Sequence, residues 1–250
     1  MSERKERGMK MKSGFIAITG ASSGIGKATA SLFVNKGFNV LLLARRQHLL
    51  EEFSGDHVMK VEVDVTDEKA LKEAIGKAEE RFGAVDLIVN NAGRMLLGDI
   101  TSQNSAEWKE MYDVNVLGVL NGMQAVLPSM KERQRGTIIN IGSIAGRKTF
   151  PDHAAYVGTK FAVHAMTENV REEAAGDNIR VTIIAPGVVE TELLDHTSDD
   201  GIKQGYKDWK ASINGGLEPD VVAETVYFAY QQPSSVTIRE IDLAPTKQQD

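Results

Sequence analysis

The chain contains no cysteine. Disulfide staples, thiolate metal sites and cysteine nucleophiles are thereby excluded. It also lacks an excess of positive charge. Lys and Arg number 29 against 35 Asp and Glu, a formal net charge of −6. A protein held to nucleic acid through phosphates carries the opposite balance. Long apolar runs are missing as well. The longest clean one, Val40–Ala44, is far short of the roughly 20 residues a membrane helix needs. The five histidines (His48, His57, His153, His164, His196) include no close pair of the H-x-x-x-H kind. The expectations are therefore no metal, no nucleic-acid partner, no membrane, and a cytoplasmic location. What remains is ordinary for a globular fold: 42% hydrophobic and 26% charged residues in a chain of 250. That length can bury roughly 70–75% of its unfolded surface without staples and fits a single α/β domain.

Residues 1–12 stand apart. Arg4, Lys5, Arg7, Lys10 and Lys12 face only Glu3 and Glu6. No apolar stretch follows, so a secretory signal is not expected. This segment reads as a disordered basic arm or an alternative start near Met9 or Met11, with contact to an anionic partner as the other reading. Residues 13–250 read as one domain. Strand-like runs at 15–19, 39–44, 58–63, 87–90, 137–142 and 180–184 alternate with helix-like stretches at 25–36, 49–53, 68–82, 105–130 and 155–175. A late helix at 219–231 and a last strand at 236–243 close the pattern. Strands apolar on both faces and separated by helices imply parallel βαβ units. Right-handed crossovers then give a doubly wound, three-layer α/β sandwich around a seven-stranded parallel sheet. Pro128 should break or kink the end of the fourth helix. The polar, glycine-containing segment 192–217 reads as a mobile loop beside the site.

The first strand runs straight into Thr19-Gly20-Ala21-Ser22-Ser23-Gly24-Ile25-Gly26, and a helix follows. Glycines at such a turn let backbone N–H groups and a helix N-terminus approach a pyrophosphate. The spacing is neither G-x-G-x-x-G nor a P-loop, which would need glycine at 21 and Ser or Thr at 28; Ala21 and Ala28 stand there. Glycines that only form a tight turn would look the same. Arg45 lies 19 residues past Gly26, where an NAD-selecting fold usually carries Asp or Glu. A guanidinium suits a 2′-phosphate instead. The expectation is NADP(H), with Arg45 as the first phosphate ligand and Arg46 or Ser22 assisting.

Tyr156 and Lys160 are four apart on a helical stretch and share a face. A phenol of pKa about 10 becomes a usable acid–base group when an ammonium lies beside it. Such a pair is common on solvated helices, so context decides. Ser143 ends one strand, Asn90-Asn91-Ala92-Gly93 another, Pro186-Gly187 a third and the glycine loop a fourth. In a parallel sheet these strand ends share one edge, where ligands bind. The segment Gly142-Ser143-Ile144-Ala145-Gly146 is not a hydrolase nucleophile elbow, since Ile141 and Ala145 occupy the positions that need glycine.

Together, Thr19-Gly20-x-x-x-Gly24-x-Gly26, Asn90-Asn91-Ala92-Gly93, Asn115, Ser143, Tyr156-x-x-x-Lys160 and Pro186-Gly187 resemble the short-chain dehydrogenase/reductase family. The resemblance is collinear over about residues 14–192 and fits the single-domain branch. The tail Val236-Thr237-Ile238-Arg239-Glu240-Ile241, ending in Ala244-Pro245-Thr246, is similar to a subgroup of NADP-dependent reductases that includes enzymes of small 3-hydroxy acids. The family implies a Rossmann-type fold, a nicotinamide cofactor and chemistry at a carbonyl or alcohol carbon. It assigns Tyr156 as proton donor and acceptor, and Ser143 as a hydrogen-bond partner of the same oxygen. Lys160 lowers the tyrosine pKa and holds ribose hydroxyls. Asn115 kinks its helix and holds a water leading to Lys160. Gly20, Ser22, Ser23, Gly24, Ile25 and Gly26 cradle the cofactor. Asp64 and Val65 border the adenine, and Asn91, Ala92 and Gly93 line the ribose. Pro186, Gly187, Val189 and Thr191 contact the nicotinamide. A homotetramer built partly through the Tyr156 helix is implied, with Phe161, Ala165 and Val170 outermost. The substrate pocket should draw on 94–97, 144–150 and 192–217, with His153 as a candidate lining residue and Arg147 binding a carboxylate. A small hydroxy acid or other small carbonyl compound is the favoured substrate. A 3-oxoacyl carrier-protein reductase, using a basic patch of Arg133, Arg135, Arg147 and Lys148, is the alternative enzyme. A non-catalytic NADP sensor or scaffold is the alternative of another class.

Overall fold

The computed structural model describes residues 14–249, so the basic arm at 1–12 lies outside the described residues. Seven strands form one sheet: β1 (Phe15–Thr19), β2 (Val40–Ala44), β3 (Val58–Glu62), β4 (Val85–Asn90), β5 (Gly136–Ile141), β6 (Ile179–Pro186) and β7 (Glu240–Leu243). Their order is β3-β2-β1-β4-β5-β6-β7. All pairs are parallel, with Ile16 opposite Val40 on one side of β1 and Leu87 on the other. The helices are α1 (Gly24–Asn35), α2 (Glu68–Phe82), α3 (Ser105–Tyr112), α4 (Gly118–Glu132), α5 (Ala154–Ala174), α6 (Asp200–Ser212) and α7 (Pro219–Tyr230). This is the expected doubly wound Rossmann-type α/β architecture.

The inner strands are buried on both faces because each face carries its own core. Phe15, Ala17, Leu41, Leu43, Ile88 and Val181 point into a cluster with Leu71 of α2, Met123 of α4 and Val163 of α5. Ile16, Ile18, Leu42, Val89 and Ile184 point the other way, onto Phe33 of α1 and Val226 of α7. Successive residues of one strand thus serve opposite layers, which is why the runs read as continuously apolar. The chain winds outward from β1 to β3, then crosses back to β4. Ligands bind outside the strand ends at such a reversal, here between β1 and β4.

Three expectations need correcting. No α-helix follows β2; a 3-10 turn at Gln47–Leu50 replaces the helix expected at 49–53. The stretch expected as one helix at 105–130 is α3, a π-helical turn at Asp113–Leu117 and α4. Pro128 does not end α4, which runs on to Glu132. Its fixed φ is helical, so it removes a hydrogen bond but lets one further turn form. The segment 192–217 contains a 3-10 turn at Glu192–His196 and α6. Asp199 caps α6 by accepting a hydrogen bond from Ile202 N at 2.9 Å, so the polar composition starts a helix rather than preventing one.

Candidate active site

A cavity of about 920 Å³ opens along the strand ends of β1, β4, β5 and β6. Its size lies in the range of ligand-binding clefts. At one end lies the glycine loop. Gly20 and Gly24 have φ of +65° and +52°, and a Cβ on Gly26 would sit 2.2 Å from the Gly20 carbonyl oxygen. No side chain fits there, so the loop lies flat against the start of α1. Asn91 fixes its shape, donating from Nδ2 to the carbonyls of Thr19 at 3.0 Å and Gly20 at 3.2 Å. Thr19 Oγ1 accepts from the amides of Asn91 and Ala92 at 3.0 and 3.1 Å, which locks β4 to β1 at the switch point. The first turn of α1 holds no acidic residue, and Ser23 makes no side-chain cap on it. The helix end is thus free to meet an anion.

Arg45 and Arg46 line the same end, along with Ser22, Ser23, Ile25, Asp64 and Val65. Arg46 donates to Ser23 Oγ at 3.1 Å and pairs with Glu192 at 3.4 Å. Arg45 lies 3.8 Å from Asp64. Both arginines are about half exposed. Two guanidiniums flanking a glycine cradle and a helix N-terminus form a donor set that fits a phosphorylated dinucleotide. Ala92, Gly93, Pro186, Gly187, Val189 and Thr191 continue the lining toward Tyr156, whereas Gly26 does not line the cavity and packs against the Gly20 carbonyl and Asn91.

Ser143, Tyr156 and Lys160 line the cavity together. Ser143 ends β5 and opens a 3-10 turn at Ile144–Gly146, its Oγ accepting from Ala145 N at 3.1 Å. Its hydroxyl proton stays available on the side of Tyr156. Burial pushes the Tyr156 hydroxyl up to about 12, with Ser143 opposing the rise. Lys160 is buried and pushed down to about 8 by loss of solvation. Its Nζ donates to the Ile141 carbonyl at 3.0 Å and sits 5.7 Å from the centre of the Tyr156 ring.

Asn115 sits buried inside the π-helical turn. The extra residue in that turn aims its side chain at the chain after β4. Oδ1 accepts from Arg94 N at 2.8 Å, while Nδ2 donates to Arg94 O at 2.8 Å and to Thr159 Oγ1 at 3.0 Å. Asn115 thus ties the Asn91-Ala92-Gly93 segment to α5 one residue before Lys160. It does not itself line the cavity, and one lone pair of Oδ1 remains for a further donor.

Beside Tyr156 the walls turn apolar. Met95, Leu97, Phe150, Leu194, Ile202 and Tyr206 pack around it. His153 lies here as expected, nearly stacked on Tyr206 at 6.2 Å, with Trp209 edge-on to Tyr206 at 5.3 Å. Burial lowers the His153 pKa.

Arg147 is a correction: it does not line the cavity but forks onto Glu240 of β7, Nε to Oε1 at 2.9 Å and Nη2 to Oε2. Arginine near a site satisfies whichever carboxylate the fold brings first, and the register of β7 could not be read at position 147. Val170 is another, packing against the core while Phe161 is 43% exposed.

Sequence reasoning missed three features. Asn90, Asn140 and Thr167 form a buried ladder behind the strand ends, with bonds of 2.8 and 2.9 Å. Glu190 clasps the segment bearing α6, accepting from Lys210 at 2.6 Å and Gly216 N at 2.6 Å. Gln248, just beyond the resembling tail, reaches back to accept from Val188 N at 3.1 Å and lines the cavity. Only the asparagine ladder left a signal, as polar residues inside apolar strands.

The model of the short chain dehydrogenase family matches residues 15–201. The chain belongs to the short-chain dehydrogenase/reductase family. An uncharacterized oxidoreductase of Staphylococcus saprophyticus is 40% identical over 95% of this chain and 98% of its own length. The closed form of a serine dehydrogenase complexed with NADP+ superposes with a TM-score of 0.87 at 31% identity, covering 94% of this chain and 96% of that one. A 3-ketoacyl-(acyl-carrier-protein) reductase from Brucella melitensis, complexed with NADH, gives 0.84 at 29% identity, covering 94% and 98%. As a short-chain dehydrogenase/reductase, the chain is an oxidoreductase with a dinucleotide-binding fold. Among its described residues, no helix is long and apolar enough to cross a membrane.

Proposed function

We propose that this short-chain dehydrogenase/reductase is an NADP(H)-dependent reductase of an uncharged, largely apolar carbonyl compound, working in reverse on the matching secondary alcohol. One observation carries the reading: Ser143, Tyr156 and Lys160 meet on the wall of the same cavity that begins at the glycine loop and the two arginines. Gly20, Gly24 and the α1 N-terminus would take the pyrophosphate, and Arg45 and Arg46, with Ser22 and Ser23, the 2′-phosphate. Asp64 and Val65 would border the adenine. Asn91, Ala92 and Gly93 would line the ribose, and Pro186, Gly187, Val189 and Thr191 the nicotinamide. When bound, the cofactor supplies or accepts the hydride. Tyr156 gives its phenolic proton to the carbonyl oxygen, Ser143 donates a hydrogen bond to that oxygen, and Lys160 holds a positive charge beside both.

The walls argue against a charged substrate. Arg45 and Arg46 stand at the cofactor end, and of the other cations of the lining Arg94 pairs with Glu110 and Lys210 with Glu190, which leaves Lys160. Arg147, the residue expected to hold a hydroxy-acid carboxylate, is committed to Glu240. The carrier-protein reading weakens for the same reason. Of its basic patch, Arg135 lies 3.6 Å from Asp86, Arg133 donates to Val85 O at 2.8 Å, and Arg147 is withdrawn. A sensor or scaffold would not need the Ser143–Tyr156–Lys160 convergence. The proposal also includes a cytoplasmic homotetramer, with exposed Leu117, Leu120 and Phe161 as surface to be covered.

Melting curves with NADPH and with NADH test the cofactor assignment. A ligand at 100 times its Kd adds about 2.7 kcal/mol, a shift of several degrees. A larger shift with NADPH, reversed by Arg45→Asp, is expected. Charge-assisted bonds of roughly 1.5–3 kcal/mol put the change in NADPH/NADH preference at about 10–100-fold. An unchanged preference in Arg45→Asp would remove Arg45 from the phosphate site.

A further inference from the structure

Tyr156, Lys160 and His164 recur at every fourth position of α5, so their side chains leave one face of the helix. The first two belong to the site. His164 had no role in the sequence reading, yet it is buried, at 6% exposure. Its Nε2 lies 3.1 Å from the main-chain oxygen of Ser143. A carbonyl oxygen only accepts, so Nε2 carries the proton of this bond. Lys160 bonds the carbonyl of Ile141, two residues earlier. One helix face therefore grips the end of β5 at both Ile141 and Ser143.

Room for the ring comes from the glycines on either side of the serine. A Cβ on Gly142 would stand 2.7 Å from Nε2, and one on Gly146 would stand 2.3 Å from Cδ2. Any side chain at either position would push the imidazole off the carbonyl. This accounts for Gly142-Ser143-Ile144-Ala145-Gly146, whose spacing fits no nucleophile elbow. On its far side, Nδ1 lies 3.2 Å from Glu240 Oε1, and Glu240 holds Arg147 at the end of the same turn. Strand β7 thus holds the loop that carries Ser143 through Arg147.

We infer that His164 is a positioning residue: through Nε2 it fixes the main chain of Ser143 so that the serine hydroxyl meets the reacting oxygen. The inference rests on the proposed reaction, in which Ser143 contacts that oxygen. His164 moves no proton in it. Burial depresses its pKa, with Arg147 and Lys160 adding to the fall and Glu240 opposing. The N–H at Nε2 is present in the tautomer that bonds Ser143 and in the cation alike. Another N–H donor of similar reach can therefore serve.

The test compares His164→Leu, which fills the space without a donor, with His164→Gln, which restores one. Displacing a catalytic group by about 1 Å costs on the order of 10²-fold. His164→Leu should lower kcat for carbonyl reduction by about that factor, leave the KM for NADPH unchanged, and speed amide exchange at residues 142–147 in the cofactor-free protein. His164→Gln should recover most of both and keep the wild-type pH profile. In a Ser143→Ala background, His164→Leu should add little, because the serine it positions is gone. Should His164→Leu not fold, Gly146→Ala carries the same expectation by driving a methyl group into the ring. Equal kcat in wild type and His164→Leu, no recovery in His164→Gln, or independent losses with Ser143→Ala would each overturn the inference and leave the proposed reaction standing. A wild type that reduces no carbonyl with NADPH overturns the proposed reaction itself, and this inference with it.

Discussion

Tyr156 and Lys160 are displaced in opposite directions by one cause. Burial disfavours the charged form of each, raising the phenol to about 12 and lowering the ammonium to about 8. At neutral pH the tyrosine is therefore protonated and ready to donate, which favours carbonyl reduction. The lysine keeps its charge only below about pH 8. The rate of reduction should fall as pH rises through that value, because the cation beside the phenol is lost. Alcohol oxidation should rise toward the Tyr156 value of about 12, because Tyr156 must first give up its proton. Paired pH profiles of kcat in the two directions check this, and a reduction rate that stays flat through the region would contradict it. The meeting of Tyr156, Lys160 and Ser143 on one cavity wall was legible in the sequence because i, i+4 spacing and strand-end position are local facts. The destination of Arg147 was not. Its partner Glu240 is 93 residues away, and only the register of β7 brings them together.

Individual elements show why some boundaries could be read and others not. Parallel strands announce themselves through apolar runs, so β1 to β6 were legible to within a few residues. The π-helical turn at Asp113–Leu117 was not separable from its flanking helices, because one inserted residue leaves the apolar spacing almost intact. Helix α6 was hidden for another reason. None of its residues is fully buried, so its polar composition resembles a loop. It lies over the cavity by a few contacts, with Ile202, Tyr206 and Trp209 facing the site. Glu190, just before the segment, holds its far end through Lys210 and the amide of Gly216, so the segment leaves and rejoins the body at one clasp. Trp209→Ala should raise KM for apolar ketones several-fold while leaving the NADPH-induced melting shift intact. The series is read by steady-state kinetics on ketones of increasing apolar size. A KM insensitive to that series would separate α6 from substrate recognition.

At the scale of the whole molecule, function follows from topology. Reversal of strand order between β1 and β4 leaves a crevice, and every parallel strand delivers its carboxyl end to the same edge. Gly20, Asn91, Ser143 and Gly187 come from four different strand ends, yet they line one cavity. That convergence was deducible from the sequence, since parallel order alone implies it. The occupancy of the cavity walls was not, because it depends on which charges pair across the finished fold. In the proposed function Tyr156 is the proton donor of an NADPH-dependent carbonyl reduction. The measurement that tests it most directly is NADPH consumption by wild type and Tyr156→Phe on apolar ketones, with NADPH binding to the variant measured alongside. General acid catalysis contributes about 10²–10⁴-fold. The account predicts a loss of that size in Tyr156→Phe with NADPH binding preserved. Near-normal turnover in the variant would contradict it.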